Sequence, residues 1–369
     1  MKIALFSSTI NETNGYGNIT NELCTQFFKM GINFTLFLPK SEMNYIKKYD
    51  FKIEYKLPPY IFRMRTPKIF EYLSNIDLSS FDLVHSLFDF PYCVMAARLA
   101  NKYNKNLIIG AQGTYGVLPL TYWPEKYFLN WSYKKAKLII VPSVFTKEKI
   151  QEVSGKYYNF KVIHNGVNFN RFQKSVDTSD IKEKTEGKRM LLTVGGLKGR
   201  KGQDIVIKAL GILRKKRSDF CYMLVGDGSW KEYLENLTKK EGLEGKVFFE
   251  GEKRGEDLIK YFKAADIYIH TPRFKNLNFE GFGIVYLEAS ACGKPIIAAD
   301  SGGVKDAVLD KKTGIIVPEE NIGMTEEAIE KLFNNNNLAR ELGRNGENYA
   351  KIHDWSIIAN KFVEVYKNI

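Results

Sequence analysis

Cysteine and histidine are both scarce in this sequence. The 369 residues include 4 histidines and 4 cysteines, and the cysteines stand far apart at Cys24, Cys93, Cys221 and Cys292. None of them has the close spacing of a metal site, and scattered cysteines are typical of proteins from a reducing compartment. The scarcity argues against a zinc-stabilised fold and against a disulfide-rich secreted one.

Long apolar runs are also missing. The first residues, MKIALFSST, form too short an apolar run for a secretory signal peptide. No run approaches the roughly 18 apolar residues of a membrane-spanning helix. We therefore expect a cytoplasmic protein, whose contact with a membrane would be peripheral.

The basic charge is concentrated in the first half of the chain. Residues 1–172 hold 22 Lys and Arg against 12 Asp and Glu, which is +10 of the total net charge of +13. Such asymmetry indicates an anionic partner. Because no recognition helix, RNP motif or zinc-finger spacing is present, we do not expect nucleic acid. An anionic membrane surface or an anionic acceptor fits better.

The most informative stretch is residues 279–289, FEGFGIVYLEA. Glu280 and Glu288 stand eight positions apart, and Gly281 and Gly283 follow the first of them. After Gly283 the apolar spacing becomes helical. The pattern predicts a glycine-rich loop that carries Glu280 and a helix that carries Glu288 on its second turn.

This arrangement suits a diphosphate with a sugar at one end and a nucleoside at the other. A helix N-terminus offers unpaired N–H groups and partial positive charge to a phosphate. The two carboxylates would lie on either side of it, roughly 12 Å apart if the rise were helical throughout. We expect Glu280 to reach the sugar and Glu288 to reach the ribose diol. The alternative is a loop and helix with two solvated acids.

The string Glu-Gly-Phe-Gly-x4-Glu-Ala-x2-Cys-Gly-Lys-Pro closely resembles the signature of the family 4 retaining glycosyltransferases (group 1). The resemblance implies an α/β protein with the GT-B fold. In that fold two Rossmann-like domains, each a parallel sheet with helices on both faces, face each other across a cleft. It also implies that a hexose-type sugar moves from a UDP- or GDP-linked donor to a glycan or lipid-linked acceptor, in cell-surface polysaccharide or glycoconjugate synthesis. No cofactor or metal would be needed, and no Asp-x-Asp motif precedes the site.

The resemblance also assigns the site residues. Glu280 is the implied catalytic carboxylate, and Lys201 with Arg200 would pair with the donor diphosphate. The implied donor contacts are Gly17 and Gln112 in the first half and Gly196, Lys253, Gly281, Phe282, Gly283, Ile284, Val285 and Glu288 in the second.

Two positions depart from the family pattern. The family commonly has a histidine at Gln112, and glutamine can donate or accept a hydrogen bond but cannot act as a base. The family often has an arginine at Gly196, for which Arg200 is a candidate replacement. These departures leave a non-catalytic or weakly active sugar-nucleotide-binding protein as the alternative function. A glycoside hydrolase is rejected, since its two carboxyl groups stand only about 5–10 Å apart.

Strand-like and helix-like segments alternate along the chain, which favours parallel sheets covered by helices. Near the start, a strand at residues 2–6 is followed by a predicted glycine loop containing Gly17. A helix from Ile19 to Met30, with Asn18 as N-cap, comes next. The predicted domains are residues 1–172 (acceptor) and 185–353 (donor). A polar linker would occupy residues 173–188, and a last helix at about 354–369 would pack back on the first domain.

Two segments rich in aromatic and basic residues interrupt this alternation. Residues 55–70 contain Arg63, Arg65 and Lys68 among aromatics and prolines, and residues 122–137 mix aromatics with four lysines. Either segment could meet a membrane surface or line an acceptor groove. For residues 122–137, an aromatic helix face packed in the core is an equally good interpretation. His85, at the end of a predicted strand, is either near the acceptor or a buried structural histidine.

Overall fold

The computed structural model describes residues 1–12, 15–44, 48–59, 69–88 and 90–369. The chain divides into two compact units. The first comprises Met1–Asn165 together with Trp355–Ile369, and the second comprises Gly166–Asp354. None of the helices described is both long enough and apolar enough to cross a membrane.

The first unit is built on a parallel sheet of seven strands in the order β3-β2-β1-β4-β5-β6-β7. Its strands are β1 (Lys2–Phe6), β2 (Asn33–Pro39), β3 (Ile53–Leu57), β4 (Leu83–Ser86), β5 (Asn106–Gly110), β6 (Leu138–Val141) and β7 (Phe160–Val162). Its helices are α1 (Gly15–Lys29), α2 (Ile69–Ser74), α3 (Tyr92–Lys102), α4 (Thr114–Val117), α5 (Glu125–Lys135), α6 (Val144–Ser154) and α16 (Trp355–Lys367). The central strands are continuous apolar runs because helices cover both faces of a parallel sheet.

The second unit repeats this plan with six parallel strands in the order β10-β9-β8-β11-β12-β13. Its strands are β8 (Arg189–Val194), β9 (Phe220–Val225), β10 (Val247–Gly251), β11 (Ile267–His270), β12 (Ile296–Ala299) and β13 (Gly314–Val317). Its helices are α7 (Phe169–Gln173), α8 (Ser179–Lys184), α9 (Gln203–Leu213), α10 (Lys231–Lys240), α11 (Gly255–Ala264), α12 (Ile284–Ala291), α13 (Val304–Ala307), α14 (Ile322–Asn334) and α15 (Asn336–Ile352). The two parallel α/β units confirm the predicted fold class.

The start of α1 corrects one prediction. The helix begins at Gly15, so Gly17 lies within it and Asn18 is not its N-cap. A Cβ on Gly17 would come 1.8 Å from the carbonyl oxygen of Asn11. The glycine is therefore needed because helix and loop backbones approach closely, and not because a turn requires it.

The predicted linker at residues 173–188 is also wrong. It contains the end of α7 and all of α8. Phe172 and Ile181 are buried in the core of the second unit, and the backbone N–H of Val167 donates to the carbonyl of His353 at 2.9 Å. These contacts show that Val167, Phe172 and Ile181 belong to the second unit. The boundary between the units therefore follows residue 165, whereas the sequence analysis predicted it at residue 172.

The final helix belongs to the first unit, where it packs on α1. Tyr366 donates or accepts a 2.7 Å hydrogen bond with Nδ1 of His85. Burial lowers the pKa of His85 to about 3, so its ring stays neutral at physiological pH. His85 is thus a buried structural histidine, the second of the two interpretations of its sequence position.

The structure describes the second of the two segments rich in aromatic and basic residues in full, and the first only in part. Residues 60–68 of the first, including Arg63, Arg65 and Lys68, lie outside the described residues. The second forms α5, whose Leu129 and Tyr133 are buried while Trp123, just before it, is 76% exposed. The second segment therefore has one face in the core and another in solvent.

Candidate functional site

The strand order of the second unit marks where a ligand site is expected. The strands β8 and β11 are neighbours in the sheet. From β8 the next strands of the chain, β9 and β10, are added on one side, and from β11 the next strands, β12 and β13, are added on the other side. In open α/β sheets, ligands bind at the carboxyl ends of the strands at such a reversal. The loop after β8 carries Arg200 and Lys201, and the loop after β11 carries Glu280.

These three side chains meet directly. The ammonium Nζ of Lys201 lies 2.5 Å from Oε2 of Glu280, and a guanidinium nitrogen of Arg200 lies 3.5 Å from the same oxygen. The Lys201 and Glu280 side chains are only 14% and 15% exposed. The structure thus brings together all three residues that the resemblance assigns to catalysis and diphosphate binding.

The charges of these three side chains affect the pKa values of Glu280 and Lys201. Burial by itself would raise the pKa of Glu280, but the nearby charges of Lys201 and Arg200 lower it to about 2. Burial lowers the pKa of Lys201, an effect that the Glu280 carboxylate opposes. At neutral pH the cluster therefore contains an ionised carboxylate held by two cations.

The helix after Glu280 begins where the sequence predicts. Gly283 precedes α12 in a left-handed conformation, with φ of 87°, and a Cβ there would meet the Tyr286 ring at 2.5 Å. Ile284 and Val285 form the half-buried first turn, and Glu288 lies half-buried on the second. The N–H groups at the start of this helix are the expected anion-binding groups.

A second glycine loop fixes the backbone of Glu280. The N–H of Gly303 donates to the carbonyl of Glu280 at 2.8 Å. Gly302 has φ of 59°, and a Cβ there would come 2.4 Å from the same carbonyl oxygen. The loop after β12 therefore fixes the backbone at Glu280, and only glycine fits at residue 302.

An ion pair that the sequence analysis did not assign supports the loop after β8. Arg273 pairs with Asp204 at the start of α9 and, at 2.9 Å, with Glu320. The backbone N–H of Arg273 donates to the backbone carbonyl of Arg200 at 2.8 Å. Asp204 is almost fully buried. The pair ties the loop that carries Arg200 and Lys201 to the segment that leads to Glu280.

His270, the last residue of β11, lies against this cluster. Its ring stacks on Tyr286 with 5.5 Å between the ring centroids. Burial lowers its pKa to about 3, and the positive charge of Lys201 acts in the same direction. The ring is therefore neutral at physiological pH.

The other donor contacts predicted for the second unit come from the loops after β8, β10 and β11. Gly196 follows β8, and its carbonyl accepts from the Gln203 amide at 3.2 Å. Gly281 is buried and Phe282 packs in the core. Lys253 is half-buried in the turn after β10. Among the strands followed by assigned residues, β10 is the farthest from the reversal between β8 and β11, because it is at the edge of the sheet. Lys253 follows this strand.

The remaining two assigned residues belong to the first unit. Gly17 is inside α1, and Gln112 follows β5, where its Oε1 accepts from the Asn165 amide at 3.2 Å. Both stand on loops or helices at the carboxyl ends of strands. Their assignment as donor contacts stays a prediction.

Comparison with known families covers almost the entire chain. The family model described as Glycosyltransferase Family 4 matches residues 13–171. The model described as Glycosyl transferases group 1 matches residues 176–349. The match in the second unit includes every residue of the Glu280 cluster.

Relatives and solved structures agree with these models. An uncharacterized glycosyltransferase of Methanocaldococcus jannaschii is 28% identical over 80% of this chain and 77% of its own length. A GDP-mannose-dependent alpha-(1-6)-phosphatidylinositol monomannoside mannosyltransferase of Mycolicibacterium smegmatis is 30% identical over 60% of this chain and 59% of its own length.

Among solved structures, Anabaena HepE in complex with UDP has a TM-score of 0.83 at 19% identity, covering all of both chains. Sucrose-phosphate synthase from Thermosynechococcus elongatus has a TM-score of 0.79 at 20% identity, covering 100% of this chain and 98% of its own. These likenesses show the fold. Together with the two family models, they establish that this chain belongs to the family 4, group 1 glycosyltransferases with the GT-B fold.

Proposed function

We propose that this glycosyltransferase moves a hexose-type sugar from a UDP- or GDP-linked donor with retention of anomeric configuration and without a metal ion. The observation that carries the proposal is the buried Glu280 carboxylate held by Lys201 and Arg200 at the start of two helices. A carboxylate beside two cations suits a ligand with developing positive charge at a sugar carbon and negative charge on a diphosphate.

The proposed reaction needs no base from the protein. The acceptor hydroxyl oxygen bonds to the anomeric carbon on the face from which the diphosphate departs. As the bond from that carbon to the diphosphate oxygen breaks, the departing oxygen takes the hydroxyl proton. Glu280 stabilises the positive charge near the anomeric carbon. This scheme is compatible with glutamine at residue 112, which cannot accept the proton.

The diphosphate charge is met by protein groups in this proposal. Lys201 and Arg200 supply positive charge, and the N-terminus of α12 supplies backbone N–H groups. Glu288, on the second turn of the same helix, binds the ribose diol. The name of the M. smegmatis relative includes GDP-mannose, and Anabaena HepE was solved with UDP, which supports a donor linked to one of these two nucleotides.

We further propose a glycan or lipid-linked acceptor at the cytoplasmic face of a membrane, in cell-surface polysaccharide or glycoconjugate synthesis. The basic first half of the chain supports this, since its charge of +10 belongs to a different half of the sequence from Arg200 and Lys201. The M. smegmatis relative is named as a mannosyltransferase for a phosphatidylinositol monomannoside. The rival function is a non-catalytic sugar-nucleotide-binding protein, and a donor-hydrolysis assay without acceptor separates the two.

The two glutamates should fail differently. Glu280→Gln removes the charge near the reacting carbon, so transfer should be lost while nucleotide diphosphate still binds, because Lys201 remains free to pair with it. Glu288→Gln should weaken the nucleotide by roughly 1–3 kcal/mol for a lost charged hydrogen bond. Calorimetric titration and a transfer assay measure both effects, with the exposed Glu152→Gln on α6 as the matched control. Equal loss of nucleotide binding in both site variants would refute the assignment.

Arg273 should act on the diphosphate through the loop that it supports. Arg273→Ala removes the guanidinium that pairs with Asp204 and Glu320, and leaves the buried Asp204 only the more distant Lys208 ammonium, 3.9 Å away. Affinity for a nucleoside diphosphate should fall about 10-fold to 100-fold, the range of a lost charged hydrogen bond. Affinity for the nucleoside alone should not change, and Arg273→Lys should restore part of the loss.

Arg217→Ala, which breaks the ion pair with Asp219 before β9, is the control for that experiment. If Arg273→Ala weakens nucleoside and nucleoside diphosphate equally, the residue supports the fold and has no specific role in placing the cations.

The stereochemistry and metal requirement of the reaction are directly measurable. NMR of the product should show the anomeric configuration of the donor, because the incoming oxygen replaces the diphosphate on the same face. Activity should survive a chelator, since protein cations neutralise the diphosphate. An inverted product, or activity that requires magnesium or manganese, would count against this proposal.

A further inference from the structure

We infer that the exposed face of α5, in the first unit, is a docking surface for an anionic lipid bilayer. This aromatic–basic face consists of Trp123, Tyr127, Phe128, Trp131, Lys134 and Lys135. The inference names the membrane contact of the proposed function and rests on that function for its biological meaning. Its physical evidence is independent of the donor site.

The aromatic residues of this face are not needed to fill a core. Trp123 and Tyr127 are 76% and 60% exposed, and Trp131 is 36% exposed. Tyr127 and Trp131 stand four residues apart in α5, so they lie on one side of the helix, and Trp123 comes just before its first residue. The opposite side anchors the helix, since Leu129 is buried and the buried Tyr133 donates to the carbonyl of Gly116 at 2.9 Å.

The charge on the helix complements an anionic surface. Lys134 and Lys135 are exposed in its last turn, and Lys126 lies over the Tyr127 ring, 5.1 Å from its centroid. The helix contains one acidic residue, Glu125, and that side chain is buried. Lysine beside tryptophan and tyrosine is the combination that favours the boundary between lipid headgroups and acyl chains.

Two surface hollows extend the basic face beyond the helix. One, of about 450 Å³, is lined by Trp131 together with Arg98 and Lys102. The other, of about 510 Å³, is lined by Lys134 with Lys156 and Tyr157, and Tyr157 is 91% exposed. Hollows with cations and aromatic walls suit phosphate headgroups. A soluble polyanion would use the lysines but would gain little from exposed tryptophan, so the bilayer is the better occupant.

Vesicle flotation tests the inference with the full chain. Vesicles of equal parts phosphatidylglycerol and phosphatidylcholine should carry the wild type at low salt, whereas pure phosphatidylcholine should not. Replacing Lys126, Lys134 and Lys135 by Ser should lower the partition coefficient by about two orders of magnitude, because each basic residue near an anionic leaflet contributes roughly fivefold. Replacing Trp123, Tyr127 and Trp131 by Ser should abolish the binding that persists at about 0.5 M salt, where charge is screened.

The matched controls lie on α10 of the second unit, where Tyr233, Lys239 and Lys240 are exposed. Replacing these by Ser should leave flotation unchanged. Donor hydrolysis without vesicles should be equal in all variants, and it reports the proposed function separately from docking. The inference is overturned if the wild type does not float, if the α5 and α10 variants bind alike, or if only a soluble polyanion such as heparin binds the face.

Discussion

The contact between the Lys201 ammonium and the Glu280 carboxylate sets the requirements for the rest of the second unit. Removing two charges from water costs several kcal/mol each, and their attraction offsets this only when the geometry is good. The 2.5 Å contact between Nζ and Oε2 needs two loops, from different strands, to be held in place. The strand order meets that need, since it makes β8 and β11 neighbours at the reversal of the sheet.

Backbone hydrogen bonds and a second ion pair hold the two loops that carry Lys201 and Glu280 in place. Gly303 donates to the Glu280 carbonyl, while Arg273 binds Asp204 on one side and the Arg200 carbonyl on the other. Each of these groups is fixed by burial or by a backbone hydrogen bond. Preorganised charge of this kind is the form in which proteins stabilise charge development most effectively.

The sequence predicted the parts of the site that depend on local patterns. Glycine followed by helical apolar spacing located the loop of Glu280 and the helix of Glu288, since both features are set by neighbouring residues. Gly17 was misplaced because a glycine marks either a turn or a close approach of backbones, and only the fold shows which. The pairing of Arg273 with Asp204 links residues 69 positions apart, so no local pattern could indicate it.

The central claim is that the Glu280 cluster binds a nucleotide-diphosphate sugar through Lys201. A calorimetric screen of UDP- and GDP-sugars against the wild type and Lys201→Met tests it most directly, with the exposed Lys216→Met as control. One donor should bind the wild type and the control equally, and binding should weaken about 10-fold to 100-fold in Lys201→Met, as expected for a lost charged contact. Equal binding by Lys201→Met and wild type, or no binding of any donor by the wild type, would contradict the account.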